Sequence, residues 1–382
     1  MKGCGVFLVS CALAFFGWSS AVPASVITER ASDDFTEIPA TDRDDIVPVL
    51  DVDLGTRVPV YILQDQFVAY SGQRFSTYTG HCLSENDPDA GACPVGYQPG
   101  NPTLVTIRFV EQRSGLSVDL TARAVRTESD IDGARTFGIS EAPETYTWLT
   151  TLSYSIWLTP EEIAKLPIGG IWTGRLVLRS IPSSKPISNE AVIAPIATGV
   201  DWRMPITLRV VDRSNIQLYI PEFGASTPVV DLGLRGLPHA GGPGIDITGH
   251  RVLDTCLYDG FNNLSEWFEL TVSDPASVDK RFRVRHELST GQGANEEVVY
   301  DVVAPDPVTG VAQAFESGVA YRFQGADHAA WRYVRMPFSA TPVVCTPWPI
   351  TLDTLIRAAD VKRTGHYTGT LRIEFRTPGS QP

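Results

Sequence analysis

Apolar and polar residues alternate with a period of two in many short segments of this 382-residue chain. Such alternation puts every second side chain on one face, which is typical of half-buried β-strands. The 32 glycines and 28 prolines suit turns between many short strands. We therefore predict an all-β protein, with strands in segments 58–63, 104–110, 117–125, 153–158, 172–179, 206–211, 216–220, 266–272, 282–288, 298–303, 332–338 and 369–375.

A single segment has a helix pattern. Thr159 can cap it, Pro160 fits its first position, and Glu162 completes a capping box with Thr159. Pro167 then ends it. We predict one short helix between strands.

The length predicts two domains. A segment rich in proline and serine, 181–205, separates the two strand-rich halves, so we place domains at 25–205 and 206–382. Seven short strands in the second half are typical of an immunoglobulin-like sandwich. After Phe375 only Arg-Thr-Pro-Gly-Ser-Gln-Pro remains, which cannot form another core strand. The expected fold is two immunoglobulin-like β-sandwich domains in tandem, the C-terminal one lacking its last strand.

The N-terminus has the pattern of a secretory signal. Lys2 precedes an apolar run from Val6 to Trp18, followed by small-residue cleavage sites. We predict a signal peptide over 1–24, with cleavage after Ala21 or Ala24. A lipoprotein box at Leu8-Val-Ser-Cys11 is the alternative. No later stretch reaches the roughly 20 apolar residues that a membrane-spanning helix needs.

Charge and cysteine content narrow the function. A formal net charge of −13 makes nucleic acid an improbable partner. Four of the six cysteines remain after signal cleavage, and in an oxidising compartment we expect them to form disulfides Cys82–Cys93 and Cys256–Cys345. The two crossed connectivities stay open. No spacing typical of a zinc site occurs, so we predict no metal and no cofactor.

One motif in the second half identifies a family. Asn215-Ile-Gln-Leu-Tyr-Ile-Pro-Glu-Phe-Gly leads, after a loop rich in glycine and proline, to Asp254-Thr-Cys-Leu-Tyr-Asp-Gly-Phe261, and Tyr367-Thr-Gly-Thr-Leu371 follows near the end. This order resembles the pilin domain of class 5 (alpha-clade) chaperone–usher tip adhesins, which include colonisation-factor tip subunits and the cable-pilus initiator. The resemblance covers 206–382 and is only architectural over 25–200.

The resemblance implies a minor tip subunit that initiates a pilus and adheres to a host-cell glycan. Its pilin domain would lack a strand, and its hydrophobic groove would be filled by a periplasmic chaperone and then by the N-terminal strand of the major pilin. An outer-membrane usher would complete the assembly route, through the periplasm to the pilus tip at the cell surface. Within the second domain, Leu371, Ile373 and Phe375 share one strand face, so they are the candidate groove residues. Ordinary core packing is compatible with that role.

The family motif itself consists of Cys256, Leu257, Tyr258, Asp259, Gly260 and Phe261. Cys345 follows at a separation consistent with an inter-strand bridge. Gly260 offers backbone freedom at a turn, and Asp259 a local hydrogen bond. We predict a structural role for this motif rather than direct ligand contact.

Receptor binding is expected in the first domain. Alternation puts Arg108, Arg123, Arg175 and Arg179 on strand faces opposite apolar residues. A patch of them could hold a sialic-acid carboxylate or a sulfate, because a guanidinium binds such groups through two hydrogen bonds. Scattered, solvated arginines are the alternative.

Aromatic residues of the first domain could stack on sugar rings. Trp157 and Trp172 are expected in the core, while Trp148 lies in a loop-like context and is the better ligand candidate. The acidic loop 81–93 lacks the spacing of a calcium site.

The sequence does not indicate an enzyme. It has no nucleophile elbow, zinc-protease helix or phosphate-binding loop, and the glycines of 241–244 are not followed by a third glycine and a helix. A secreted, self-sufficient carbohydrate-binding module or a glycan-active enzyme is the alternative to the adhesin. A β-rich secreted chain with many carboxylates is compatible with a glycosidase, although nothing selects a catalytic pair.

Overall fold

The chain forms two compact units. The N-terminal unit comprises Ser19–Val211, and the C-terminal unit comprises Asp212–Pro382 with Met1–Trp18. Trp148 and most of the predicted signal peptide lie outside the part of the chain that the structure describes. This computed structural model describes residues 5–9, 28–32, 46–69, 77–130, 133–142, 151–184, 192–193, 199–223, 228–238, 245–289, 293, 295–356 and 362–380.

Strand β1 (Gly5–Val9) belongs to the C-terminal unit. The N-terminal unit follows, and its short helix α1 (Pro160–Ile163) comes directly after its eighth strand. The strands are β2 (Thr28–Ser32), β3 (Val49–Asp53), β4 (Val60–Ala69), β5 (Thr77–Cys82), β6 (Thr103–Glu111), β7 (Ser117–Asp130), β8 (Gly133–Gly138), β9 (Thr151–Leu158), β10 (Gly170–Ser184), β11 (Val192–Ile193) and β12 (Val200–Val211).

These strands form one sheet in the order β2-β4-β9-β7-β6-β10-β12-β3, with β8 beside β7 and both β5 and β11 beside β10. Alternation builds the core, since Val105, Ile107 and Phe109 of β6 are all fully buried. Burying each of them contributes about 1.5–3 kcal/mol. The strands predicted in the first half of the chain are confirmed.

Helix α1 forms where it was predicted, but its capping differs. The side chain of Thr159 makes no capping hydrogen bond. The carboxylate of Glu162 instead accepts a hydrogen bond from the backbone N–H of Thr121, at 2.8 Å, and one from Lys165. Glu162 thus attaches the helix to the edge of β7, and this tertiary contact replaces the predicted local one.

The boundary between the units differs from the predicted one between residues 205 and 206. The segment 206–211 is the second half of β12, which pairs with β10 from Val200 to Val210 and with β3 from Thr207 to Val211. The division therefore falls after Val211. Local alternation identified the strand but could not show which half of the chain supplies its neighbours.

The C-terminal unit continues with fourteen described strands after β12, and the strands predicted there, apart from 206–211, are confirmed. They are β13 (Gln217–Tyr219), β14 (Val229–Asp231), β15 (Arg235–Pro238), β16 (Ile245–Leu253), β17 (Cys256–Tyr258), β18 (Trp267–Ser273), β19 (Phe282–His286), β20 (Glu297–Pro305), β21 (Ala312–Ala314), β22 (Val319–Gln324), β23 (Arg332–Val334), β24 (Val343–Pro347), β25 (Ile350–Ile356) and β26 (Tyr367–Arg376).

Two sheets enclose the core of this unit. The larger follows the order β14-β1-β26-β19-β20-β25-β16-β15, with β18 joining β26 to β22 and β21 beside β20; the smaller is β13-β17-β24-β23. The buried cluster includes Phe268, Tyr300, Trp348 and Leu371. The chain is thus nearly all β and has two tandem domains, as predicted, while the immunoglobulin-like details stay a prediction.

Among the described residues, no helix has the length and apolar character that crossing a membrane requires.

Candidate functional site

A slot in the larger sheet of the C-terminal unit holds strand β1. There β1 runs antiparallel to β14, with Val6 opposite Val230, and parallel to β26, with Leu8 opposite Leu371. Val230 and Leu371 are buried in the core. An extended segment close to the N-terminus therefore completes the sheet between β14 and β26.

The predicted face of β26 is confirmed, but only as a packing arrangement. Leu371 and Phe375 are buried, and Ile373 is half-buried against the same core. The ring of Phe375 makes an edge-to-face contact with Phe268, at 5.2 Å between centroids. Leu371 lies in the stretch of β26 that pairs with β1, whereas Ile373 and Phe375 lie in the stretch that pairs with β18. Their role in lining a groove stays a prediction.

The family motif builds a tight buried loop after β17. The side chain of Asp259, of which 1% is exposed, accepts hydrogen bonds from three backbone N–H groups, those of Phe261, Asn263 and Ser265. Gly260 has a φ of 70°, and its missing Cβ leaves room for the carbonyl oxygen of Asp212. These contacts explain the residue types at 259 and 260 as structural, while the role of the motif in function is not tested.

The loop also connects to strand β24. The side-chain oxygen of Asn262 accepts a hydrogen bond from the backbone N–H of Val344, and the hydroxyl of Thr346 donates to the side chain of Asn263. Asn262 and Asn263 have φ values of 55° and 60°, in the region that favours small polar residues or glycine. The motif thus joins β17 to β24 at the point where their disulfide lies.

Both expected disulfides are present. Cys256–Cys345 links neighbouring strands of the smaller sheet, with the Cα atoms 5.7 Å apart, and Cys82–Cys93 closes a loop in the N-terminal unit, with the Cα atoms 5.2 Å apart. Closing the 89-residue separation between Cys256 and Cys345 contributes about 4–5 kcal/mol in the chain-entropy account.

The closed loop Cys82–Cys93 lies between two strands of the N-terminal sheet. The carbonyl of Pro88 accepts a hydrogen bond from the N–H of Arg108 on β6, and the carbonyl of Ala90 accepts one from the N–H of Val177 on β10. No cluster of three or more candidate metal ligands occurs within the described ranges.

Two of the four candidate arginines are ion-paired on the outer face of the N-terminal sheet. Arg108 binds Asp119 through two hydrogen bonds, of 2.7 and 3.0 Å, and Asp89 through a third. These bonds raise the pKa of Arg108, and the hydrogen bond from Arg108 lowers the pKa of Asp119. Arg179 makes a similar two-bond pair with Asp201. These two guanidinium groups are already occupied.

The other two arginines differ. Arg123 on β7 and Arg175 on β10 are exposed on the same outer surface, and in the described part of the chain neither has a carboxylate within ion-pair distance. The arrangement does not bring four free arginines together. A receptor role for any of them stays a prediction, and that of Trp148 falls outside the described residues.

The two described tryptophans of this group occupy opposite environments. Trp172 is buried as predicted, and its indole N–H donates to the carbonyl of Ile168. The core prediction for Trp157 is wrong. Its neighbours Ile156 and Leu158 are fully buried, so the period of two places Trp157 on the outer face, half-exposed.

A buried ion pair lies in the core of the N-terminal unit, and we did not predict it. The guanidinium of Arg126 has no exposed surface and donates to the carboxylate of Glu128, at 2.7 Å. It also donates to the backbone carbonyls of Gly138 and Glu141, at 2.7 and 2.6 Å. Arg126 therefore anchors the turn that follows β8.

His81 is a buried neighbour of this pair. One ring nitrogen lies 3.0 Å from the hydroxyl of Thr79. Burial lowers the pKa of His81, a hydrogen bond to the backbone of Gly96 opposes that shift, and the positive charge of Arg126 adds to it.

We expect the N-terminal unit to lose stability as the pH falls below 6.5. The unfolded chain takes up a proton on His81 near its ordinary pKa of 6.5, whereas the folded chain does so only at lower pH. The contribution is complete above pH 6.5 and declines below it, by at most about 1.4 kcal/mol per pH unit. Urea unfolding between pH 7.5 and 5.5 measures this slope.

His81→Gln should flatten that slope for the N-terminal unit. His328→Gln, at an exposed position in the other unit, is the matched control and should leave it unchanged. An unaltered slope in the His81 variant would contradict the assignment.

Comparisons with known proteins cover both units. The family model of the first domain of CfaE, a CFA/I fimbrial subunit, matches residues 35–213, and the model of the second domain of CfaE matches residues 216–379. The CFA/I fimbrial protein of this name from Escherichia coli is 28% identical over 346 residues, which is 86% of this chain and 89% of that protein.

Solved structures show the same fold. The crystal structure of CfaE, the adhesive subunit of CFA/I fimbria of enterotoxigenic Escherichia coli, has a TM-score of 0.63 at 22% identity, covering 90% of this chain and 94% of that one. A chaperone–tip adhesin complex of CFA/I fimbriae biogenesis has a TM-score of 0.53 at 22% identity, covering 89% and 98%. The chain therefore belongs to the CfaE family, the colonisation-factor tip adhesins of chaperone–usher fimbriae.

Proposed function

We propose that this chain initiates a chaperone–usher fimbria and adheres to a host-surface glycan from its tip. Residues 1–24 would direct export, the N-terminal unit up to Val211 would bind the receptor, and the unit from Asp212 onward would be the pilin domain. The chain would pass through the periplasm bound to a chaperone, reach an outer-membrane usher, and receive the N-terminal strand of the major pilin. The complex of chaperone and tip adhesin known for CFA/I fimbriae supports the first of these partners.

The observation that carries the proposal is the slot between β14 and β26. Strand β1, which fills it, lies within the predicted signal peptide. Removal of residues 1–24 would leave the facing edges of β14 and β26 without a strand between them and would uncover Val230 and Leu371. Unpaired main-chain groups beside uncovered apolar side chains provide what an incoming strand needs.

Incoming strands would bind through backbone and side chains together. Main-chain hydrogen bonds to both edges give affinity, and alternate side chains replace the contacts that the core has lost. Three such side chains contribute about 5 kcal/mol or more when fully buried. A chaperone strand would protect the slot during export, and the strand of the next subunit would then close it.

We expect an added strand to stabilise the mature chain strongly. The test compares the chain from Ser25 onward with the same chain carrying the N-terminal strand of its major pilin after Pro382, joined by a flexible linker of about 12 residues, which allows either strand direction. The melting temperature of the C-terminal unit should rise by about 10 °C or more. Calorimetry and the yield of soluble monomer report the result.

A matched control carries the same strand with its inward apolar residues changed to serine, and it should stabilise little. If the chain without any strand is already monomeric and melts at the same temperature, the assembly proposal fails. The self-sufficient binding module would then be the better account.

We further propose that the chain acts by binding, without catalysis. The relatives are described as a fimbrial subunit and an adhesive subunit, which favours this view over a glycan-active enzyme. Release of reducing sugar from host glycans by the purified chain would overturn it.

A further inference from the structure

A row of four outward-facing side chains crosses neighbouring strands of the N-terminal sheet. Tyr61 on β4 pairs with Trp157 on β9, Trp157 pairs with Arg123 on β7, and Arg123 pairs with Leu104 on β6. Directly paired residues of antiparallel strands lie on one face, with Cβ atoms about 4.5–5.5 Å apart. The row Tyr61–Trp157–Arg123–Leu104 is therefore continuous; we call it the outer-face row.

The composition of the outer-face row is unusual for a solvent-facing surface. The rings of Tyr61 and Trp157 lie side by side, with centroids 6.0 Å apart and planes inclined by 37°. At the other end Leu104 is 57% exposed. Outward faces of antiparallel sheets are normally polar, since only the inward face packs on the core.

Arg123 also contrasts with its neighbour on the same pair of strands. Further along the β6–β7 ladder, Arg108 is directly opposite Asp119 and neutralised by it. Arg123 is instead opposite an exposed leucine, and in the described ranges no carboxylate lies within ion-pair distance of it. Its nearest acidic influence is Glu161, whose pKa is lowered first by a hydrogen bond from Thr159 and more weakly by the charge of Arg123.

We propose that the outer-face row binds a sugar that carries a carboxylate. The apolar C–H face of a pyranose ring would stack on Trp157 and Tyr61, as aromatic side chains with an apolar body allow. The free guanidinium of Arg123 would hold the carboxylate through two hydrogen bonds. Leu104 would contact an apolar substituent beyond it. This inference rests on the proposed adhesive function and identifies the flank of the N-terminal unit as its surface.

Charge selects the ligand class. The protein has a net charge of −13, so a diffuse attraction for anions is absent and recognition must be local. Glu161 lies on one side of Arg123, which disfavours a polyanion spread along the strands and favours a single carboxylate. Sialic acids and uronic acids share this chemistry and differ in the glycerol chain that only sialic acids carry.

The test measures binding of the strand-completed chain to three immobilised probes: sialyllactose, a glucuronate-terminated disaccharide and lactose. One acidic probe should bind at least tenfold more tightly than lactose. Arg123→Gln should remove this preference, and Trp157→Ala should weaken binding of the acidic probe. Arg175→Gln changes another exposed, unpaired arginine of the same sheet and should bind as the unaltered chain does.

The outcomes separate this inference from the proposed function. If an acidic probe binds but Arg123→Gln and Trp157→Ala leave its affinity unchanged, the outer-face row is not the site, while adhesion to a glycan stands. If neither acidic probe binds better than lactose, the inference is overturned, and the donor-strand experiment still decides the assembly role. All four positions are at least partly exposed, so the melting temperatures of these variants should match that of the unaltered chain.

Discussion

Asp259→Asn should destabilise the C-terminal unit by about 3–4 kcal/mol. The carboxylate accepts from the N–H groups of Phe261 and Asn263 with one oxygen and from that of Ser265 with the other. An amide can accept with only one of its two terminal atoms, so an NH₂ group would oppose a buried N–H. Hydrogen bonds to a charged group contribute about 1.5–3 kcal/mol each, and an unpaired buried donor costs about 1–3 kcal/mol. Urea unfolding of the strand-completed chain measures the change.

Asp231→Asn provides the matched control. Asp231 is exposed and accepts one hydrogen bond, from the N–H of Gly233. Its substitution should cost less than about 1 kcal/mol. Equal losses in the two variants would show that the buried loop tolerates an amide and that Asp259 does not organise the motif.

Arg126→Met should destabilise the N-terminal unit by about 3–5 kcal/mol. The substitution leaves the buried carboxylate of Glu128 without its cation and the carbonyls of Gly138 and Glu141 without their donor. Breaking a buried pair from one side typically costs this much, because an uncompensated charge stays in the core. Chemical unfolding with tryptophan fluorescence measures the loss, and the double variant Arg126→Met/Glu128→Leu should recover part of it.

Arg108→Met is the control for Arg126, since it removes an arginine from a partly exposed pair with Asp119. Exposed pairs contribute about 0–1 kcal/mol, so this variant should unfold close to the unaltered chain. The same Arg126 variant should also weaken the acid sensitivity assigned to His81, because the positive charge that helps to lower the pKa of His81 is gone. A loss below about 1 kcal/mol would mean that water replaces the guanidinium in the fold.

Alternation in the sequence predicted most strands and the inward face of β26 with Leu371 and Phe375, and the cysteine positions predicted both disulfides. Alternation failed where the answer depends on which strands become neighbours. Segment 206–211 reads as a strand in either domain, and only its pairing with β10 and β3 assigns it to the first. The sequence also could not show that Arg126 turns inward and Arg123 outward, although the phase set by Leu120 gives that difference once it is followed.

The candidate site shows the same limit. The four arginines were found from strand faces, but their carboxylate partners come from other strands and from the disulfide loop, as Asp119 and Asp89 do for Arg108. Trp157 was misjudged from its apolar character alone, although its position one residue from Ile156 and Leu158 placed it outside. Tyr61 and Leu104 carried no signal of their own, because only the register of three strand pairs brings them beside Trp157 and Arg123.

The loop Cys82–Cys93 has a consequence for how this protein matures. Beyond the pairing at Trp172 and Thr173, strands β6 and β10 separate, and the loop fills the gap by hydrogen bonding to both. Without the covalent closure, two strand edges would be open in the middle of a domain, where neighbouring copies could pair with them. Oxidation is therefore a checkpoint against self-association as well as a source of stability, and a reducing environment would convert the N-terminal unit into an aggregation-prone chain before it unfolds.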